Sequence, residues 1–390
     1  MFYGAHYERE GRGELLSFAA QDPAALRVLI PAEDGQSFGE PSWRSSADAF
    51  DIVRELDGQF SIERVTTEWI SVETRVELGE LRVANRRLYR SPSGEQLYLL
   101  TSDDTRKHLS RVDPQGEMSE VVDLALFGIT APEYCQLSVL TENRVSIDCL
   151  GAGGNSALVT LVETNTGMFD TYWTEMAGEV GVVMWAPDGR AFAYCVGDSG
   201  ADPEYRTWLV ELAKDAALAS NVAVELGVGC PHAWSPDSTR LVTNSQIFNL
   251  DAEDPSVAER ELQAGEFTKR GLGDPSLTRF SSDGARLAYG QGSAHLLLFE
   301  QDRDLHYKEY AQGTVEAPPV WSADGAELYR GYCGPEGTTG QWSCRGEVYF
   351  VDELLDDCLA QGSVYAEGAG ACGLEAPGLN AASSVPAPAL

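Results

Sequence analysis

Four stretches decide the fold of this chain: WAPDGRAFAY at residues 185–194, WSPDSTRL at 234–241, FSSDGARLAY at 280–289 and WSADGAELY at 321–329. Each opens on a bulky aromatic, runs through Pro, Asp or Gly, and resumes with apolar residues. Pro and Asp favour turn positions, and Gly supplies the positive φ that closes a tight turn without strain. Each stretch therefore reads as the end of one strand, a short turn and the start of a second strand. A fifth copy, YRSPSGEQLY, occupies 89–98, and two worn copies, WRSSADAFDI at 43–52 and LSVLTENRVSI at 137–147, fill the intervals. The anchors fall at 43, 89, 137, 185, 234, 280 and 321, separated by 41 to 49 residues. A period of that length is the signature of a repeat architecture.

More strands follow the anchors within each repeat, such as TWLVEL at 207–212, HLLLF at 295–299 and EVYFV at 347–351. Their alternation or short apolar runs imply four strands per unit. Such small sheets cannot bury both faces alone, so they must pack radially on one another, with the large aromatic filling the space between neighbours. The expectation is an all-β chain, a β-propeller with seven four-stranded antiparallel blades.

The pattern W-S-P-D-G-x-x-[LIF]-A-[YF] resembles the TolB-like, WD40-like β-propeller repeat, over about residues 40–355. That resemblance implies a propeller scaffold and, by analogy, an envelope or secreted protein that binds others. The chain departs from TolB in carrying seven repeats rather than six and no recognisable α/β domain ahead of them, so partners of the Tol system do not carry over.

Two strand-like runs near the start, Glu14 to Ala19 and Leu26 to Ile30, are expected to complete the blade begun near Trp321 and close the ring. An eighth, composite blade is the alternative, because Glu347 to Val351 also reads as a strand of that blade. Residues 1–372 are thus assigned to one propeller domain. Residues 373–390, small, proline-rich and unpatterned, are assigned to a disordered tail.

The chain has 390 residues, 61 acidic against 28 basic, for a formal charge of −33. Such an acidic surface repels phosphate backbones and anionic lipid heads, which argues against nucleic-acid binding. No run approaches the roughly 20 apolar residues of a membrane span. A monomer is expected. Eight cysteines with no C-x-x-C favour disulfides over metal or redox work, and hence a periplasmic, cell-envelope or extracellular location. The expected bridges are Cys135 with Cys149 across a hairpin, Cys195 with Cys230 at one end of adjacent blades, Cys333 with Cys344 around a loop, and Cys358 with Cys372 closing the tail; sequence alone does not fix the connectivity.

Recognisable catalytic chemistry is missing. The acids Asp188, Asp237, Asp283 and Asp324 share one turn position, where the side chain bonds nearby backbone amides. The anchors Trp43, Trp185, Trp234, Phe280 and Trp321 read as core for the same reason. The tetrapeptide GDSG at 197–200 matches the surroundings of a serine-protease nucleophile, but the histidine segment that must accompany it is absent. The chain has no nucleophile elbow, zinc helix, phosphate loop or EF-hand pattern. No transition-metal cofactor is expected from five histidines scattered over separate repeats. Calcium is a weaker candidate through acid-rich loops, with Asp103, Asp104, Asp198 and Asp202 as the oxygen donors.

Function then falls to the connections opposite the short turns, because loops on a rigid scaffold carry recognition. The longer ones span 101–107, 151–156, 197–206 and 334–343, and Glu40, Glu133, His232 and Arg279 stand just ahead of anchors. These four are the expected binding residues for a protein or peptide ligand of a non-catalytic scaffold. The competing readings are a polysaccharide lyase or hydrolase on the same fold, and the regulatory propeller of a larger enzyme.

Overall fold

The structure, a computed structural model, describes the chain apart from residues 1, 10–11, 20–21, 45–48, 67–70, 104, 130–131, 133–134, 151–156, 174–178, 198–203, 213–220, 263–276, 291–292, 301–302, 310–314, 317–318, 323, 337–340, 353, 355–370 and 374–390. Among the described residues, eight small antiparallel sheets follow one another in chain order. They fall into two compact units, residues 1–176 with 214–220, and residues 177–213 with 221–390. Within each sheet most strands pair antiparallel with the next in the chain; the exceptions are Gln36–Phe38 on Ala49–Leu56, Arg82–Val83 on Leu97–Ser102, Val315–Glu316 on Glu327–Glu336 and Ala371–Gly373 on Arg303–Glu309. This succession is the blade architecture of a β-propeller.

All seven anchors lie on a strand that pairs with the strand next after it in the chain. Trp185 ends Glu179–Trp185, Trp234 ends Pro231–Trp234, and Phe280 and Trp321 close the two-residue strands Arg279–Phe280 and Val320–Trp321. Their partners on the second strand hold one register: Trp185 faces Phe192, Trp234 faces Leu241, Phe280 faces Leu287 and Trp321 faces Leu328. The indole adds a further tie. Trp234 Nε1 donates to the Met184 carbonyl at 3.2 Å, and Trp321 Nε1 donates to the Arg279 carbonyl at 3.1 Å. Each tryptophan thus grips the residue just before the preceding anchor, which explains the preference for Trp over a plain hydrophobe.

The turns behave as their sequences predict. Asp237 Oδ1 accepts from the Ser235 hydroxyl at 2.5 Å and the Thr239 amide at 3.1 Å. Asp283 and Asp324 repeat the arrangement with Ser281 and Ser322, each at 2.6 Å. These bonds stabilise the ionised form. The pKa values of Asp237, Asp283 and Asp324 are lowered, the serine hydroxyl in each turn being the largest cause.

Period-two alternation sends each central strand's side chains to both faces, and both are buried. In the first unit, Leu97 and Leu99 pack on Val53 and Ile62, while Tyr98 and Leu100 pack on Leu137 and Ile147. In the second, Leu241 and Phe248 pack on Ala193 and Leu209, while Val242 and Ile247 pack on Leu287 and Leu297. A side chain of this size fully removed from water contributes roughly 1.5–3 kcal/mol, so these shared clusters dominate the attraction between neighbouring sheets.

The chain differs from the sequence reading at both ends. Phe2–Arg9, Arg12–Ala19 and Asp22–Asp34 form a separate three-stranded sheet rather than extra strands of the sheet that holds Trp321. The expected loop at 334–343 is instead the far end of a long hairpin. Glu327–Glu336 and Gln341–Phe350 stay in register out to Glu336 opposite Gln341. A short strand, Ala371–Gly373, pairs in parallel with Arg303–Glu309.

Disulfides join Cys135 to Cys149 and Cys195 to Cys230. The first links directly opposed residues of one hairpin. The second ties the strand Ala191–Gly197 to the residue just ahead of Pro231–Trp234, and both of its cysteines are 0% exposed. The backbones of Cys333 and Cys344 are directly opposed. The pairing proposed for Cys358 and Cys372 lies outside the described residues.

Candidate functional site

In the sheet carrying Trp43, two short segments, Gln36–Phe38 and Ser42–Trp43, pair with the same strand Ala49–Leu56. The interruption is Gly39-Glu40-Pro41, and Pro41 has no N–H with which to continue a ladder. The next sheet repeats the device. Arg82–Val83 and Tyr89–Arg90 both pair with Leu97–Ser102, and the 3₁₀ turn Ala84–Arg86 lies between them.

The two interruptions meet closely. A Cβ on Gly39 would lie 1.8 Å from the Arg86 carbonyl oxygen, so only a glycine lets these backbones approach. Asn85 and Arg86 both take left-handed backbone, with φ of 54° and 51°. Asn tolerates that region, but Arg does so at a cost of roughly 1–2 kcal/mol. Asp57, at φ 52°, needs no such account, because Asp57-Gly58 closes the hairpin to Gln59–Thr66 as a two-residue turn of the kind that requires positive φ.

These segments line a cavity of about 840 Å³. Buried Phe38, Phe60 and Val83 give it an apolar wall, and Glu40, Glu55, Arg82, Asn85 and Arg86 give it a polar rim. The carboxylates are already matched: Arg87 meets Glu40 at 2.7 Å and Arg86 meets Glu55 at 3.0 Å. Burial works against the charge on Arg87, yet the bond to Glu40 and its field raise the pKa overall. Arg82 is exposed and forms no ion pair among the described residues. The cavity thus offers apolar area, a guanidinium without a fixed counter-ion, and both donors and acceptors on a preorganised backbone.

Of the residues expected from sequence, Glu40 belongs to this cavity. Glu133, Asp104, Asp198 and Asp202 lie outside the described residues. His232 and Arg279 belong to the second unit. His232 is 5% exposed and its Nδ1 lies 3.3 Å from the hydroxyl of Thr278, itself 4% exposed, so the ring is packed rather than presented to a ligand. Arg279 is exposed, and its carbonyl accepts the Trp321 indole. Asp103 uses one oxygen to accept from the Thr105 amide and hydroxyl and the Arg106 amide, all within 2.8 Å, and its pKa is lowered mainly by the Thr105 amide. It closes its own turn. Among the described residues, no three of His, Cys, Asp and Glu gather as a metal set, and no helix is long and apolar enough to cross a membrane. Gly39, Arg82, Asn85 and Arg86 were not singled out from sequence.

No protein-family profile matches the chain, and no curated protein matches it in sequence. Solved structures do. The Dos1 propeller matches with a TM-score of 0.56 at 11% identity, covering 84% of this chain and 85% of its own. Oligogalacturonate lyase in complex with manganese matches with a TM-score of 0.53 at 10% identity, over 91% of this chain and 98% of that one. TolB from Acinetobacter baumannii is more distant, with a TM-score of 0.41 at 12% identity, and the match covers 64% of this chain and 61% of TolB. The first two agree with the sheet topology in giving this chain a β-propeller fold.

Proposed function

We propose that the chain is a non-catalytic binding propeller whose cavity beside Gly39 and Arg86 receives a segment of a protein or peptide partner. The observation that carries this reading is the cavity's construction: an apolar wall, matched carboxylates and an uncommitted Arg82, on backbone that a left-handed Arg86 holds in place. Apolar pockets with a few convergent polar groups are the usual form of a recognition site. Strained backbone concentrates at such sites because the surrounding structure has to fix it. Two disulfides support an oxidising location, the cell envelope or outside the cell.

Selection of random displayed peptides on the immobilised full chain tests the reading, with Arg82→Ala as comparator. Because Arg82 is exposed and forms no ion pair among the described residues, its removal is expected to leave the fold intact. The expected result is a set of related peptides whose affinity falls at least tenfold on the variant. Failure to enrich any peptide, or enrichment of peptides that bind the variant equally well, overturns it.

A further inference from the structure

Aligned on their anchors, the repeats place Asp51 at the position held by Ala193 and Ala288. Across the ladder, Ala193 faces Leu209 and Ala288 faces Leu296, both apolar and fully or almost fully buried pairs, whereas Asp51 faces Arg64. A charged pair has replaced a core pair. Asp51 is 0% exposed and meets three guanidinium groups: Arg64 Nε at 3.1 Å from Oδ1, Arg75 Nη1 at 3.3 Å and Arg90 Nη2 at 2.6 Å from Oδ2. The side chains of Arg75 and Arg90 are 6% and 9% exposed.

Backbone carbonyls complete part of the set. Arg75 Nη2 donates to Asp113, and Arg90 donates to Gly94 and Ser42. The Nε atoms of Arg75 and Arg90 are buried without a hydrogen-bond partner. Carbonyls satisfy donors but neutralise nothing, so among the described residues the cluster holds three cations against one anion. Burying an uncompensated charge costs several kcal/mol, and it stands here in a chain whose formal charge is −33.

We infer that this cluster is an oxyanion site, in which a small sulfate, phosphate or carboxylate ion from solution supplies the missing negative charge beside Asp51. Arg64, with its side chain 25% exposed, is the open side. Guanidinium groups bind such ions through their N–H donors, and the Nε–H groups of Arg75 and Arg90 have no acceptor. The electrostatics agree: burial lowers the Arg75 pKa most, Asp51 opposes it, and Arg64, Arg90 and Arg44 lower it further. Among the described residues, Glu73 stands opposite Arg64 in the ladder and Glu63 bonds Ser61 and Thr74, and neither forms an ion pair with the three guanidinium groups. Asp48 and Glu68 lie outside the described residues and are the rival source of counter-charge.

Calorimetric titration and thermal unfolding of the full chain with sulfate, phosphate and acetate, against chloride at equal ionic strength, test the inference. The expected result is one ion per chain and a stabilisation that saturates in the low millimolar range, unlike the unsaturating effect of a salting-out ion. Arg64→Gln weakens sulfate at least tenfold. Asp51→Asn removes a competing anion, so the variant binds sulfate more tightly and regains stability in its presence. Should Asp51→Asn not fold, Arg64→Gln carries the test. Equal effects of sulfate and chloride overturn the inference, as does a sulfate response that arises only in Asp48→Asn or Glu68→Gln.

Discussion

Replacing both Cys195 and Cys230 with alanine removes a bridge that closes 35 residues of chain. In the chain-entropy treatment that cross-link restricts the unfolded state by about 3.8 kcal/mol at 25 °C. Both cysteines are 0% exposed and pack with Tyr205, so losing two sulfur atoms adds roughly 1 kcal/mol of lost packing. The double variant is therefore expected to lose about 4–5 kcal/mol. The Cys135–Cys149 bridge spans only 14 residues and restrains the unfolded chain by about 3 kcal/mol, so its double alanine variant should lose less. Urea unfolding of the oxidised proteins, followed by tryptophan fluorescence, compares the two. A loss under about 1 kcal/mol at the 195–230 bridge, or a larger loss at the 135–149 bridge, refutes the reasoning from loop length.

Three further outcomes follow from the geometry. Trp234→Phe deletes the indole bond to the Met184 carbonyl while keeping an aromatic, as Phe280 does in its own sheet, and is expected to cost about 1–2 kcal/mol in urea unfolding without loss of fold. Gly39→Ala forces the Arg86 carbonyl back from a 1.8 Å approach; it should destabilise by about 1–3 kcal/mol and cut peptide affinity at least tenfold, read by the same unfolding assay and by titration of a selected peptide. Asp237 and Asp283 have folded pKa values below the ordinary value, so their stabilisation is fully present above about pH 4 and is lost as pH falls through the lower folded values. Ser235→Ala and Ser281→Ala remove the largest cause of each shift, and NMR titration of the two carboxylates should find both pKa values raised.

The propeller was legible because its turns use residues with position-specific chemistry. An Asp that accepts a serine hydroxyl and a Trp that reaches the residue before the preceding anchor leave a recurring spelling. The sheet at 2–34 has no such spelling, since its turns lie outside the repeat and no anchor marks it. The hairpin Glu327–Glu336 with Gln341–Phe350 was misread because Gly334 and Pro335 signal a loop, whereas the ladder carries them opposite Ser343 and Trp342. Asp103 carries a role that composition does not reveal, one of its oxygens accepting from the Thr105 and Arg106 amides of its own turn. Glu40 could be named because it precedes an anchor. Arg86 could not, because left-handed backbone at an arginine is imposed by packing and leaves no mark in composition. The ions around Asp51 come into view only when the repeats are laid over one another and a core alanine is found missing.

The two split strands that border the cavity, with a third split at Val315–Glu316 and Val320–Trp321, are places where chain length can change without a change of register. On either side of Gly39-Glu40-Pro41, and again around Ala84–Arg86, short ladder segments lock onto one continuous second strand, so register is held on both sides of each connection. Insertions there would reshape the cavity wall and leave the anchors, the turns and the shared cores untouched. Register is thereby insulated from the connections, except at Gly39 and Arg86, whose close approach ties the cavity wall to the packing of the two sheets.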